Sequence, residues 1–117
     1  VSPNANFGAI GIAVDSNNSY RSTCGHPKPY AVEGMGVDFV SPVLNNEIID
    51  RFIEVTDGQA MATLKTLAHE DGLLVGPSSG AVAYAAFTLQ PELKPDDRVV
   101  IIFGDSGRAY LSKKFYY

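Results

Sequence analysis

Apolar and polar positions divide the chain into short alternating blocks. Residues 9–14, AIGIAV, are short, β-branched and apolar on both faces, the pattern of a buried parallel strand. The preceding SPNAN reads as a turn, and residues 15–30, DSNNSYRSTCGHPKPY, as a polar loop longer than most connections in compact domains. Residues 33–39, EGMGVDF, carry two glycines one residue apart. That spacing allows a positive φ or a close backbone approach. Residues 47–55, EIIDRFIEV, predict a short helical turn running into a strand.

The clearest helix covers residues 57–71. Thr56 and Gln59 have capping-box spacing, and Ala60, Met61, Leu64, Leu67 and Ala68 form one apolar stripe. Gly72 stands where a left-handed stop belongs. Leu73, Leu74 and Val75 then predict a buried strand, and residues 76–80, GPSSG, turn into a second helix over 81–89. After the loop PELKPDD, residues 98–103, RVVIIF, predict a last strand, and residues 104–107, GDSG, open a final turn. Alternating strands and helices predict an α/β fold, a twisted parallel sheet with helices on both faces. Ligands of such sheets gather beyond the carboxyl ends of the strands, where 76–80 and 104–107 both fall.

Composition narrows the function classes. At 117 residues, 45% hydrophobic and 19% charged, the chain is one globular domain's worth and not a disordered segment. Nine Lys and Arg against 13 Asp and Glu leave a net charge of −4, which disfavours a nucleic-acid binder or a polybasic membrane anchor. The longest apolar run, residues 81–87, is too short to cross a bilayer. Nothing at the start resembles a signal peptide, and a start at Val1 instead of Met suggests polypeptide upstream. The single cysteine, Cys24, makes a reducing, cytoplasmic location the expectation. Cys24 and His26 form at most half a metal site, with no second pair at ligand spacing, so no metal is expected. His69 reads as a solvated helix residue. Tyr116 and Tyr117 either pack a terminus or touch a partner.

Gly76, Ser78 and Gly80 fit G-x-S-x-G, the nucleophile elbow of α/β-hydrolases, in the right strand–turn–helix context. The chemistry disagrees. That fold requires its acid and histidine after the serine, and both histidines, His26 and His69, precede Ser78. Two readings stay open: Ser78 or Ser79 caps the following helix, or the turn is a polar cradle whose hydroxyl and free amides hold an anionic or heteroaromatic ligand.

Four segments in one order carry a resemblance: EGMGVDFVSPVL, EIIDRF, HEDGLLVGPSSGA and RVVIIFGDSGRAYLSK. Together they resemble the cystathionine β-synthases and O-acetylserine sulfhydrylases (cysteine synthases), pyridoxal-phosphate enzymes of the tryptophan-synthase-β-like fold. The likeness runs from about residue 7 to 114, and the ending DSGRAYLSK leans toward cystathionine β-synthases.

The resemblance implies that residues 1–117 are the C-terminal portion of a catalytic core. The complete enzyme would join serine, or an activated serine, to homocysteine or another thiol through an aminoacrylate. It further implies pyridoxal 5′-phosphate as cofactor and a homodimer of the full protein. Ser78 matches the serine that hydrogen-bonds the pyridine nitrogen. Gly76, Gly34 and Asp105 match the cofactor side, and Gly36, Val37 and Ser79 the substrate side.

Departures accompany the match. Val37 stands where many cystathionine β-synthases have tyrosine, Pro77 replaces a usual glycine, and Gly104 replaces a usual proline. No S-x-K-D-R-like run, T-S-G-N-T-like loop or G-T-G-G-T-like cup occurs, so no catalytic residue is expected in this chain. The Schiff-base lysine is expected upstream, in the same enzyme or on a second chain. A rival of another class is a non-catalytic fragment that regulates a full-length enzyme.

Overall fold

The computed structural model describes residues 8–117, so the SPNAN turn lies outside the described residues. Two strands pair in parallel, β1 (Ile12–Ser16) and β2 (Arg51–Val55), with Ile12 opposite Arg51 and Ser16 opposite Val55. The strand expected at 9–14 is thus displaced toward the polar loop, and the Gly11 carbonyl accepts the amides of Asp50 and Arg51 at the mouth of the pair. The turn expected before β2 is a 3₁₀ turn, Asn46–Ile48, with the Asn45 side chain accepting from the Glu47 amide.

Helix α1 spans Asp57–Asp71. The Thr56 hydroxyl accepts from the Gln59 amide, and the Gln59 side chain accepts in return from the Thr56 amide. Both bonds satisfy amides that the first turn leaves without intrahelical partners. Gly72 ends the helix at φ 68°, in the left-handed region, as its position in the sequence requires. Ala60, Leu64 and Leu67 are buried as the stripe predicts, joined by Thr63.

Helix α2 spans Pro77–Thr88 and begins earlier than expected. It is apolar nearly all round, since it lies between the two strands and α1. Gly80 makes the helix crossing possible: a Cβ there would stand 2.4 Å from the Ala60 carbonyl oxygen. The core unites Val32, Met35, Val55, Ala60, Ala81 and Ala85, with Val14, Ile53, Met61 and Tyr84 against it.

Two expected strands do not form. Leu73 and Leu74 are exposed, and only Val75 pairs, in an isolated antiparallel bridge with Ser106. Residues 98–103 form neither a helix nor a strand ladder. Their apolar character was readable, but a strand exists only where a neighbouring edge takes its hydrogen bonds.

Candidate functional site

The head of α2 is built on Gly76 and Pro77. Gly76 is the N-cap, with extended backbone and no side-chain capping bond, and Pro77 fills the first helical position, where an amide would have no intrahelical partner in any case. The capping reading of the serines is therefore overturned: both lie inside the first turn. The Ser79 and Gly80 amides reach the Gly76 carbonyl at 3.0 and 3.3 Å. Ser78 is half-buried, and its hydroxyl has no hydrogen-bond partner among the described residues. Ser79 is 1% exposed, and its hydroxyl is buried without a partner. A hydroxyl in that state costs free energy unless something polar reaches it.

A second loop presses on this turn. The Gly76 amide donates to the Asp105 carbonyl and the Gly107 amide to the Leu74 carbonyl, closing the bridge at Val75 and Ser106. The Asp105 side chain lies against the Gly76 Cα so closely that a Cβ there would be 1.9 Å from Oδ1. Asp105 Oδ2 accepts from the Tyr110 hydroxyl, while Oδ1 is buried with no partner. That hydrogen bond, followed by desolvation and by the Asp105 and Glu33 charges, pushes Tyr110 up to about 12.

The 3₁₀ stretch Gly107–Lys113 brings the C-terminus back over the turn. Tyr116 is buried, its hydroxyl donates to the Val75 carbonyl, and burial first and the Asp105 charge second raise its pKa. The Tyr116 carbonyl meets His69 Nε2 at 2.5 Å, so His69 is a tether for the C-terminus and not merely a solvated residue. Tyr117 remains exposed.

The E-G-x-G segment forms another wall. Gly34 adopts φ +81°, a conformation that favours glycine, with open space around it. Gly36 serves close approach: a Cβ would stand 2.7 Å from Asp15 Oδ1 and 3.0 Å from Ser19 Cβ. Asp15 is a hub that accepts from the Ser19 and Ser22 hydroxyls at 2.7 and 3.0 Å and from Arg21 Nε at 2.8 Å. The Arg21 guanidinium also lies 4.0 Å above the Phe52 ring centre. This hub folds the long polar loop back onto β1 and sets the backbone of Gly36. Gly34 and Gly36 border a cavity of about 610 Å³ that also takes in Lys28, Tyr30, Glu33 and Asp38. Val37 is exposed, and its carbonyl accepts the Tyr20 amide.

Gly76, Ser78, Ser79 and Asp105 thus form one cluster, and Gly34, Gly36 and Val37 a second. Sequence reasoning missed Asp15, Tyr110 and His69 as organising residues. Asp15 had a usable signal, a lone carboxylate at the end of an apolar run. Tyr110 had none, because its position comes from the 3₁₀ path after Ser106. Among the described residues, no group of His, Cys, Asp or Glu could hold a metal, and no helix is long and apolar enough to cross a membrane.

Comparison with known proteins bears on the fold and the family. The family described as pyridoxal-phosphate dependent enzyme matches residues 4–105. A probable cysteine synthase of Bacillus subtilis is 41% identical over 88 residues, 75% of this chain and 28% of the relative's length. A cystathionine β-synthase of Apis mellifera is 34% identical over 116 residues, 97% of this chain and 22% of its own length. The crystal structure of an O-acetylserine dependent cystathionine β-synthase from Helicobacter pylori superimposes with a TM-score of 0.83 and 36% identity, over 97% of this chain and 37% of that one. This chain therefore spans between about a fifth and two fifths of these relatives. Matched over most of its residues, it belongs to the pyridoxal-phosphate dependent enzyme family.

Proposed function

We propose that this chain is part of a pyridoxal-phosphate-dependent β-replacement enzyme, similar to cystathionine β-synthase, that joins serine or an activated serine to homocysteine or another thiol. The observation that carries the reading is the unpartnered hydroxyl of Ser78 at the head of α2, beside the buried, unpartnered oxygens of Ser79 and Asp105. A heteroaromatic ring edge suits that polar spot. When bound, pyridoxal phosphate supplies an electron sink for charge that develops at the α-carbon of an amino acid.

In this reading the Ser78 hydroxyl would donate a hydrogen bond to the ring nitrogen while keeping its proton. Being neutral, the hydroxyl does not stabilise a protonated ring as a carboxylate would. The Tyr110 hydrogen bond fixes the Asp105 carboxylate against Gly76 and so sets the rear of the turn. Gly76 leaves the space that this carboxylate needs. Gly34 presents backbone toward the cofactor and Gly36 toward the substrate, and Val37 offers an apolar surface there. The nucleophilic lysine comes from polypeptide outside this sequence. A cytoplasmic homodimer is the assembly that accompanies this reading.

Cysteine synthase is supported equally. The Bacillus subtilis relative has the higher identity and the Apis mellifera relative the longer match. Product analysis with homocysteine and with sulfide as competing acceptors separates the two.

The test is substitution of Ser78 in protein expressed from the whole reading frame. Ser78→Asp is expected to shift the absorption band of the bound cofactor and to slow turnover by roughly 100-fold, the scale for losing one positioned hydrogen-bond donor. An unchanged band with unchanged turnover overturns the assignment.

A further inference from the structure

A carboxylate oxygen without a donor stands at the head of α2. The Asp105 carbonyl receives the Gly76 amide at 3.3 Å, and its carboxylate lies so close to Gly76 that a Cβ there would be 1.9 Å from Oδ1 and 2.4 Å from Oδ2. Oδ1 is buried without a partner, and the Ser78 hydroxyl has none among the described residues. The carboxylate and the hydroxyl of this one turn therefore do not bond to each other. Among the described residues, Tyr110 alone holds the Asp105 carboxylate by a hydrogen bond, its hydroxyl donating to Oδ2 at 2.5 Å. That bond is the first cause that pushes the Tyr110 pKa up to about 12, so the phenol keeps its proton and stays a donor.

We infer that Tyr110 is a positioning residue: by holding Asp105, it keeps that carboxylate from drawing the Ser78 hydroxyl away from the cofactor's ring nitrogen. The inference rests on the proposed role of Ser78 and deepens it. A serine hydroxyl has a single proton to donate, and a hydrogen bond to an ionised carboxylate is about twice as strong as one between neutral groups. A carboxylate free to turn therefore outcompetes a neutral ring nitrogen for Ser78. Tyr110 removes that freedom by satisfying Oδ2 and fixing the carboxylate against Gly76. Without the phenol, the carboxylate has no hydrogen bond from the described residues, a cost that pulls the unpartnered hydroxyls of the same turn toward it.

Tyr110→Phe tests this, since it removes the hydroxyl and keeps the ring, whose centre lies 6.0 Å from that of Phe115. The readout is the ring-nitrogen resonance of nitrogen-15-labelled pyridoxal phosphate bound to protein expressed from the whole reading frame. Tyr110→Phe is expected to move that resonance in the same direction as Ser78→Ala and most of the way. Asp105→Asn, which carries no charge, is expected to leave it near its unsubstituted position and to restore it in the double variant Tyr110→Phe/Asp105→Asn. A purely structural role for Tyr110 shifts the unfolding midpoint without this pattern of loss and rescue. A resonance unmoved by Tyr110→Phe but moved by Ser78→Ala overturns the inference and leaves the role of Ser78 standing. A Tyr110→Phe shift that Asp105→Asn fails to reverse also overturns it, because the carboxylate is then not the rival acceptor. Should Tyr110→Phe fail to fold, Asp105→Asn alone decides: a resonance in place supports the inference, and a shift as large as that of Ser78→Ala overturns it. A resonance indifferent to Ser78→Ala removes both proposals.

Discussion

Gly80 offers a prediction whose sign depends on magnitude. It is the fourth residue of α2, where helix propensity alone makes Gly80→Ala stabilising by about 1 kcal/mol. The added methyl would lie 2.4 Å from the Ala60 carbonyl oxygen, 3.0 Å from Leu64 Cβ and 3.2 Å from the Leu64 amide nitrogen. Ordinary contact begins at 3.4 Å, so α1 must retreat by about 1 Å. The obstructing oxygen is backbone and cannot rotate away as a side chain could. Retreat loosens the seam of Ala60, Leu64 and Ala81, all fully buried. Overpacking of this kind costs about 1–3 kcal/mol, which offsets the propensity gain and leaves a net loss of up to about 2 kcal/mol. Gly58→Ala is the internal control. Its nearest neighbour would be Thr56 Oγ1 at 3.9 Å, and it should stabilise by about 0.5–1 kcal/mol. Urea denaturation followed by circular dichroism reads both changes as shifts in midpoint at constant slope. A Gly80→Ala protein stabilised by the full propensity gain of about 1 kcal/mol would refute the claim that α1 presses on the base of the serine turn.

Two further substitutions probe the site. Gly76→Ala meets no backbone strain at φ −82° but would drive a methyl into Asp105. It is expected to destabilise by about 1–2 kcal/mol, and Asp105→Ala should rescue most of that loss; additive costs in a double-mutant cycle would contradict the contact. The tyrosines give a pH dependence. Tyr110 is pushed up to about 12 by its bond to Asp105, and burial raises Tyr116 and Tyr30. The unfolded chain releases these phenol protons near pH 10, so stability should fall from about pH 10 toward pH 12, as the folded state still holds them. Ultraviolet titration of Tyr110→Phe should lack the highest transition; tyrosines that all titrate near their ordinary value would count against the Tyr110–Asp105 bond.

What the sequence disclosed follows the range of the forces involved. Helix α1 was legible from cap to stop because Thr56, Gln59, the apolar stripe and Gly72 act within a few residues of one another. The start of α2 was misplaced because Pro77 favours the first helical position without help from a hydroxyl, which frees Ser78 and Ser79 from capping. Residues 73–75 and 98–103 carry strand-forming side chains, yet pairing depends on edges that local pattern does not reveal. The two loops of the candidate site were legible as glycine-rich turns after apolar runs. Their meeting, with Asp105 against Gly76 and Tyr110 behind it, arises from a chain reversal that no periodicity encodes. Gly34 and Gly36 were singled out for positive φ or close approach, and each shows one of the two.

Nitrogen-15 magnetic resonance of ring-labelled pyridoxal phosphate, added to the protein expressed from its whole reading frame, bears most directly on the role of Ser78. The ring-nitrogen resonance is expected to move in Ser78→Ala and to move further in Ser78→Asp, while Ser112→Ala, on the exposed 3₁₀ stretch, leaves it in place. A resonance indifferent to Ser78 would contradict the account.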